Sequence, residues 1–127
     1  MTVADAMLRT PRTCGPATTV AQARDVFADD HIHAVLVVDG DRLLAVVERT
    51  DLVGAAPDAP ARDAGRLGER VLGPHLDGER VRQMMVARRL RRVAIVDGHG
   101  RLLGLLCLKR NGTGFCSPAD VAARAAS

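Results

Sequence analysis

Asp51 stands just past the apolar run Leu43–Val47, where Thr50 can cap a helix that begins near Asp51. A carboxylate in the first turn of a helix can accept two hydrogen bonds from a vicinal diol, or serve the helix alone as an acid at its positive end. Glu48 has no second acid at a helical spacing for acid–base work and reads as a solvated or salt-bridged group. His31 and His33 alternate ahead of an apolar strand, so they project to one side. No third ligand is evident, and they read as a loop-edge pair, not a metal site. Cys107 and Cys116 flank a glycine-rich stretch, Asn111-Gly112-Thr113-Gly114, and no histidine is tied to either by spacing. They read as a buried small hydrophobe and a loop thiol in preference to a nucleophile or a redox pair. Gly98-His99-Gly100, followed by Gly104, resembles a phosphate loop but leads into a strand, so it reads as a hairpin turn. The run Arg88-Arg89-Leu90-Arg91-Arg92 could grip phosphates, yet no aromatic side chain accompanies it to stack bases. A helix-end patch that meets a partner or a ligand phosphate is the better reading. No catalytic constellation and no metal site emerges, and the chain is expected not to be an enzyme.

The elements that must position these groups are aliphatic. Of 127 residues, 47% are hydrophobic but only 2% aromatic, so Val, Leu, Ile, Ala and Met must build the core. Units near 60 residues bury too little surface to stand alone, so two halves of such a chain should need each other. No apolar run approaches the length of a membrane span, and no basic-then-apolar leader opens the chain. Three cysteines in no zinc or disulfide spacing fit a reducing, cytoplasmic location. The net charge of +3 permits an anionic partner without demanding one.

An internal repeat organises the chain. Val38-Asp39-Gly40 recurs as Val96-Asp97-Gly98, an offset of 58 that also takes Asp5-Ala6 to Asp63-Ala64, Arg12 to Arg70, and Gly15-Pro16 to Gly73-Pro74. Past the turn one inserted residue makes the offset 59, so Arg42-Leu43-Leu44 meets Arg101-Leu102-Leu103. The copies meet in an Ala/Pro/Asp linker, Ala55–Ala61, giving a first repeat over 1–58 and a second over 59–127. Thr2 can cap a short helix through Met7. Thr19 with Gln22 forms a capping box for a helix with Val20, Ala23, Val26 and Phe27 on one face. Ala34–Val38 and Leu43–Val47 read as strands around the Asp39-Gly40 turn. In the second copy Asp77 caps a helix burying Val81, Met84 and Met85, and Val93–Val96 and Leu102–Leu106 are the strands. Ser117-Pro118-Ala119-Asp120 looks like the start of a final helix. Fully apolar strands imply sheets covered on both faces. The predicted fold is α/β, two tandem β-α-β-β-α repeats packed about a pseudo-two-fold axis.

A tandem unit of this order, with an apolar strand, an Asp-Gly turn and a return strand, resembles the CBS domain pair, or Bateman module. Val3-Ala4-Asp5-Ala6-Met7 is similar to the family's opening segment, and Val35–Asp39 to its Pro-Val-x-Asp strand with Ala34 in place of proline. The family's nucleotide signature (Gly, two apolar residues, Thr or Ser, two residues, Asp) corresponds to Ala45-Val46-Val47-Glu48-Arg49-Thr50-Asp51. The resemblance implies a first ligand cleft lined by Thr13, Cys14, Gly15, His33, Ala34, Val35, Glu48, Arg49, Thr50 and Asp51. There Asp51 would accept from a ribose, while Glu48 opposes a phosphate. The second copy keeps Gly104 but has Cys107 at the hydroxyl position and Arg110 at the aspartate position. Arg110 cannot accept from a diol, so a second cleft of Arg92, Val93, Cys107 and Arg110 would have lost ribose recognition or would hold an anion.

The resemblance therefore implies a regulatory module. It would bind an adenosine-containing ligand (AMP, ADP, ATP or S-adenosylmethionine), dimerise with itself, and signal through an effector protein. One alternative is a ligand-free dimerisation scaffold, which the altered signatures favour. The other is a nucleic-acid-binding module centred on Arg88–Arg92.

Overall fold

The computed structural model describes residues 1–120, in two copies of one short pattern. The first copy runs α1 (Val3–Ala6), β1 (Thr13–Cys14), α2 (Val20–Val26), β2 (Val35–Asp39) and β3 (Arg42–Val47). The second runs α3 (Ala61–Ala64), β4 (Val71–Leu72), α4 (Gly78–Arg88), β5 (Arg92–Val96) and β6 (Leu102–Cys107). Each copy forms a three-stranded sheet, in which a parallel pair (β1–β2, β4–β5) is continued by an antiparallel hairpin (β2–β3, β5–β6). The duplication extends to an irregularity: the ladder slips between Val37 and Val38 and again, 58 residues on, between Ile95 and Val96.

Local chemistry sets these elements as their residues predict. Thr19 Oγ1 accepts from the Gln22 amide (3.2 Å) while Gln22 Oε1 accepts from the Thr19 amide (2.9 Å), which fixes the start of α2. Asp77 caps α4 by accepting from the Arg80 amide at 3.0 Å. Gly40 takes φ +62° in the first hairpin and Gly100 φ +80° in the second, where glycine carries no Cβ penalty. Gly98-His99-Gly100 is thus a turn, held by Asp97, whose carboxylate accepts from the His99 and Arg101 amides. None of the helices is long and apolar enough to cross a membrane among the described residues.

Three apolar clusters stack in layers. Val20, Ala23, Phe27, Val35, Val37 and Val47 lie between the first sheet and its helices, and Val81, Met85, Val93, Ile95 and Leu106 occupy the same layer of the second. Leu36, Leu43, Val46 and Ala94 lie between the sheets. The hairpin tips join there: Leu43 N donates to Gly100 O and Leu102 N to Asp41 O, across a bridge of Arg42 with Arg101.

The opening segments are exchanged between copies. Val3, fully buried, packs with Val81 and Met85 of the second copy, and Leu8 pairs with Leu105 at the edge of the second sheet. Conversely Ala61, in α3, is part of the first core, and Arg66 pairs with Val46 at the edge of the first sheet. The linker carbonyls of Pro57 and Ala59 also take the Ala21 and Val20 amides, which would otherwise be unpaired donors at the start of α2.

Two expectations change. The helix expected from Asp51 is a single 3-10 turn, Arg49–Leu52, preceded by Glu48. Gly54 at φ +77° and the prolines at 57 and 60 turn the chain away before a helix can propagate. The segment after β6 also folds back, and Leu108 pairs with Phe115 in a small antiparallel ladder. Of the expected final helix, Ser117 and Asp120 cap each other's backbone amides, and residues 121–127 lie outside the described residues.

Candidate functional site

Strands β2 and β3, antiparallel, bring Val35 opposite Val47, so the residues after β3 emerge beside those that precede β2. Glu48, Arg49, Thr50 and Asp51 leave the sheet there, and Thr13 of β1 starts at the same end, in register with Leu36. Their side chains part company. Arg49 lies over the Phe27 ring (4.9 Å to its centre) and donates to the carbonyls of Phe27 and Ile32, tying the end of α2 to the following loop. Thr50 is exposed. Val35 is buried in the helix-side core, and Ala34 packs between the sheets. Cys14 Sγ donates to Leu36 O at 3.6 Å, and Gly15 is exposed.

Asp51 is engaged by a residue of the other copy. Arg70, only 2% exposed, donates from Nη1 to Asp51 Oδ2 (2.6 Å) and from Nη2 to Asp51 Oδ1 (3.1 Å). Its Nη2 also lies 2.9 Å from Glu48 Oε1, Nη1 donates to Val46 O at 2.8 Å, and the Glu48 amide donates to Asp51 Oδ2 at 2.7 Å. Burial by itself would raise the Asp51 pKa, but the Arg70 hydrogen bonds, the Glu48 amide and the Arg70 charge outweigh it and hold the carboxyl below its ordinary value. Both oxygens that a diol would need are thus taken by a planar, bidentate guanidinium. Arg70 Nε is buried and has no hydrogen-bond partner among the described residues.

The equivalent place in the second copy has the opposite electrostatics. Arg110 replaces the aspartate, and with Lys109 and Arg91 it lines a cleft of about 550 Å³. His31 and His33 line the same cleft from the first copy. Asp30 and Asp120 are its acids, and Cys116 is part of its wall. Three basic side chains against two carboxylates, with two histidines, give this cleft an excess of positive charge that would favour an anion, in a volume comparable to those of small-molecule pockets. The arginine run does not act as one patch. Arg88 ends α4, Arg89 takes the left-handed cap (φ 58°), Arg91 reaches the cleft, and Arg92 is 8% exposed within β5. Val93 is fully buried in the second core. Cys107 is buried at the end of β6.

Of the residues assigned by sequence to the two clefts, His33 and Arg110 therefore meet in one cleft, Glu48 and Asp51 meet Arg70, and the others serve packing or lie apart. Sequence reasoning did not single out Arg70, Lys109, Asp30 or Asp120; it weighed Arg91 only within the arginine run, His31 as half of a loop-edge pair and Cys116 as a loop thiol. One signal was available: the repeat places arginine at both 12 and 70. Gly104 has a packing role that the signature does not convey. A Cβ there would lie 2.7 Å from Leu8 O and 2.6 Å from Met7 Sδ, so the glycine lets the opening segment lie against β6. Among the described residues no group of three or more His, Cys, Asp or Glu side chains is placed to hold a metal.

Comparison with known proteins agrees with this architecture. The family model described as the CBS domain matches residues 3–58 and 70–110, together more than half the chain. No curated protein matches. Among solved structures, the CBS domains of a transcriptional regulator from Streptococcus pneumoniae superpose with a TM-score of 0.71 at 18% identity, covering 84% of this chain and 92% of that one. CBSX2 in complex with AMP gives 0.71 at 20% identity, covering 99% and 98%. The cytosolic domain of the Mg2+ channel MgtE in complex with ATP gives 0.63 at 24% identity, with 80% of this chain matching 44% of that one.

Proposed function

The chain belongs to the CBS domain family, and from that premise we propose that it is a regulatory module whose cleft between the repeats takes a phosphate-bearing adenosine ligand. The observation that carries this reading is the cationic cleft of Arg91, Lys109 and Arg110, closed from the other repeat by His31 and His33. Guanidinium and ammonium groups suit phosphate oxygens, and Asp30 on the rim supplies an acceptor for ribose hydroxyls. Structures of the same fold carrying AMP and ATP support the ligand class. The cleft carrying Asp51 is the weaker candidate, because a ligand there must displace Arg70 from a buried ion pair. S-adenosylmethionine is cationic and fits the basic cleft poorly. Because both copies contribute walls, a ligand that binds one relative placement of the repeats better than another shifts that equilibrium. The module is proposed to act as a homodimer that passes this change to an effector protein.

A thermal-shift panel of adenosine, AMP, ADP, ATP and S-adenosylmethionine tests the reading. Ligand at a hundredfold excess over its Kd stabilises the fold by about 2.7 kcal/mol. ATP and ADP should raise the Tm more than adenosine does, the effect should shrink with salt, and Arg110→Glu should abolish it. The reading would be falsified if all five ligands left the Tm unchanged at millimolar concentration.

A second reading, a ligand-free dimerisation scaffold, is favoured by the same Arg70–Asp51 pair. With Asp51 engaged and Arg110 in the other copy, neither signature offers its own carboxylate to a ribose. A dimer that forms and binds its partner identically with and without nucleotide would select this alternative.

A further inference from the structure

Leu108 and Phe115 face each other across the small ladder that follows β6, and both belong to the helix-side core of the second repeat. Side chains alternate between faces along each strand, so the neighbouring pair, Cys107 and Cys116, projects from the opposite face. That face looks toward the first repeat, and Cys116 lines the cleft between the repeats. The two cysteines are direct cross-strand neighbours, since the Cys116 amide donates to Cys107 O at 2.7 Å. Residues opposite each other in an antiparallel pair have Cα atoms about 4.5–5.5 Å apart and their side chains on one face. The usual Cα separation across a disulfide is about 5.5–6 Å.

From this register we infer that Cys107 and Cys116 are a built-in dithiol that closes to a disulfide in the wall of the cleft. The oxidant is an anionic small-molecule disulfide, which the surrounding Arg91, Lys109 and Arg110 would attract. Cys116, 6% exposed and part of the cleft wall, is the more accessible of the two and reacts first. Its thiolate attacks one sulfur of the small disulfide and expels the other half as a thiolate, leaving a mixed disulfide. The Cys107 thiolate, 1% exposed and beneath it, then attacks the Cys116 sulfur and expels the second half. The two protons given up by the protein thiols end on the two released small thiols, so the protein loses two electrons and the oxidant gains them. Cys14, bonded to Leu36 O in the first sheet, takes no part. Closure does not require a nucleotide in the cleft.

The test uses the full chain, reduced, treated with oxidised glutathione, alkylated and cut with trypsin. The sequence separates the pair between two tryptic peptides, Leu102–Lys109 and Asn111–Arg124. The expected result is a fall from three alkylatable thiols to one, a 102–109 peptide joined to 111–124, and reversal by dithiothreitol. In Cys116→Ser the Cys107 thiol should survive the same treatment. Three surviving thiols in the native chain, a stable glutathione adduct on Cys116, or a link that involves Cys14 would each overturn the inference. Because the joined peptide is read on the natural sequence, the outcome does not depend on how well the serine variant folds.

Discussion

Arg70 shows how one side chain decides what a neighbouring motif can do. A buried ion pair adds little net stability against apolar residues of the same shape, because desolvation offsets the attraction, but removing one partner strands the other. Arg70→Met should therefore cost about 3–5 kcal/mol in urea unfolding, since Asp51 and Glu48 are left without their cation. Adding Asp51→Asn and Glu48→Gln should recover part of that loss. The same pair makes a pH prediction. Asp51 is depressed in the folded state, so its contribution is present above the unfolded value of about 3.9 and is lost as pH falls below it. The urea midpoint of the wild type should drop across that range more steeply than that of Asp51→Asn, and parallel curves would remove Asp51 as the cause.

At the scale of the element, the two junctions between opening segment and sheet edge use glycine from opposite partners. At the first, Gly65 lies in the opening segment itself, just after α3, and a Cβ there would meet Val46 O at 2.7 Å. At the second, the glycine is in the strand: Gly104 accepts Met7 and Leu8. Gly65→Ala and Gly104→Ala should each destabilise by about 1–3 kcal/mol, because backbone carbonyls cannot step aside as side-chain ends can. Gly73→Ala, whose Cβ would meet nothing within 4 Å, is the control and should stay within about 0.5 kcal/mol. Equal midpoints for all three variants in denaturant titration would show that the junctions are not tightly packed.

For the whole molecule, the exchange of α1 and α3 means that each core is completed by the other copy's opening segment. A chain cut between residues 58 and 59 leaves the first half without Ala61 and the second without Val3, both fully buried in the whole. Produced separately, the two fragments should each give collapsed amide spectra in heteronuclear NMR, and mixing them should restore dispersion. A dispersed spectrum and a cooperative transition from 1–58 alone would show that the exchanged helix is dispensable.

The duplication, its offset, the hairpin turns and the capped helices were legible in the sequence, because they rest on local rules: the 3.6- and 2-residue periodicities, Thr19 with Gln22, and glycine at positive φ. The repeat even placed Arg12 and Arg70, and Asp51 and Arg110, in equivalent positions. Tertiary structure alone decided which of these residues meet. Arg70 reaches Asp51, 19 residues back, only because the segment after α3 returns along β3, and His33 shares a cleft with Arg110 only because the two sheets pack together. Charge pairing across a fold depends on distances that no local pattern encodes, so one cleft is neutralised from within while its counterpart keeps its cations.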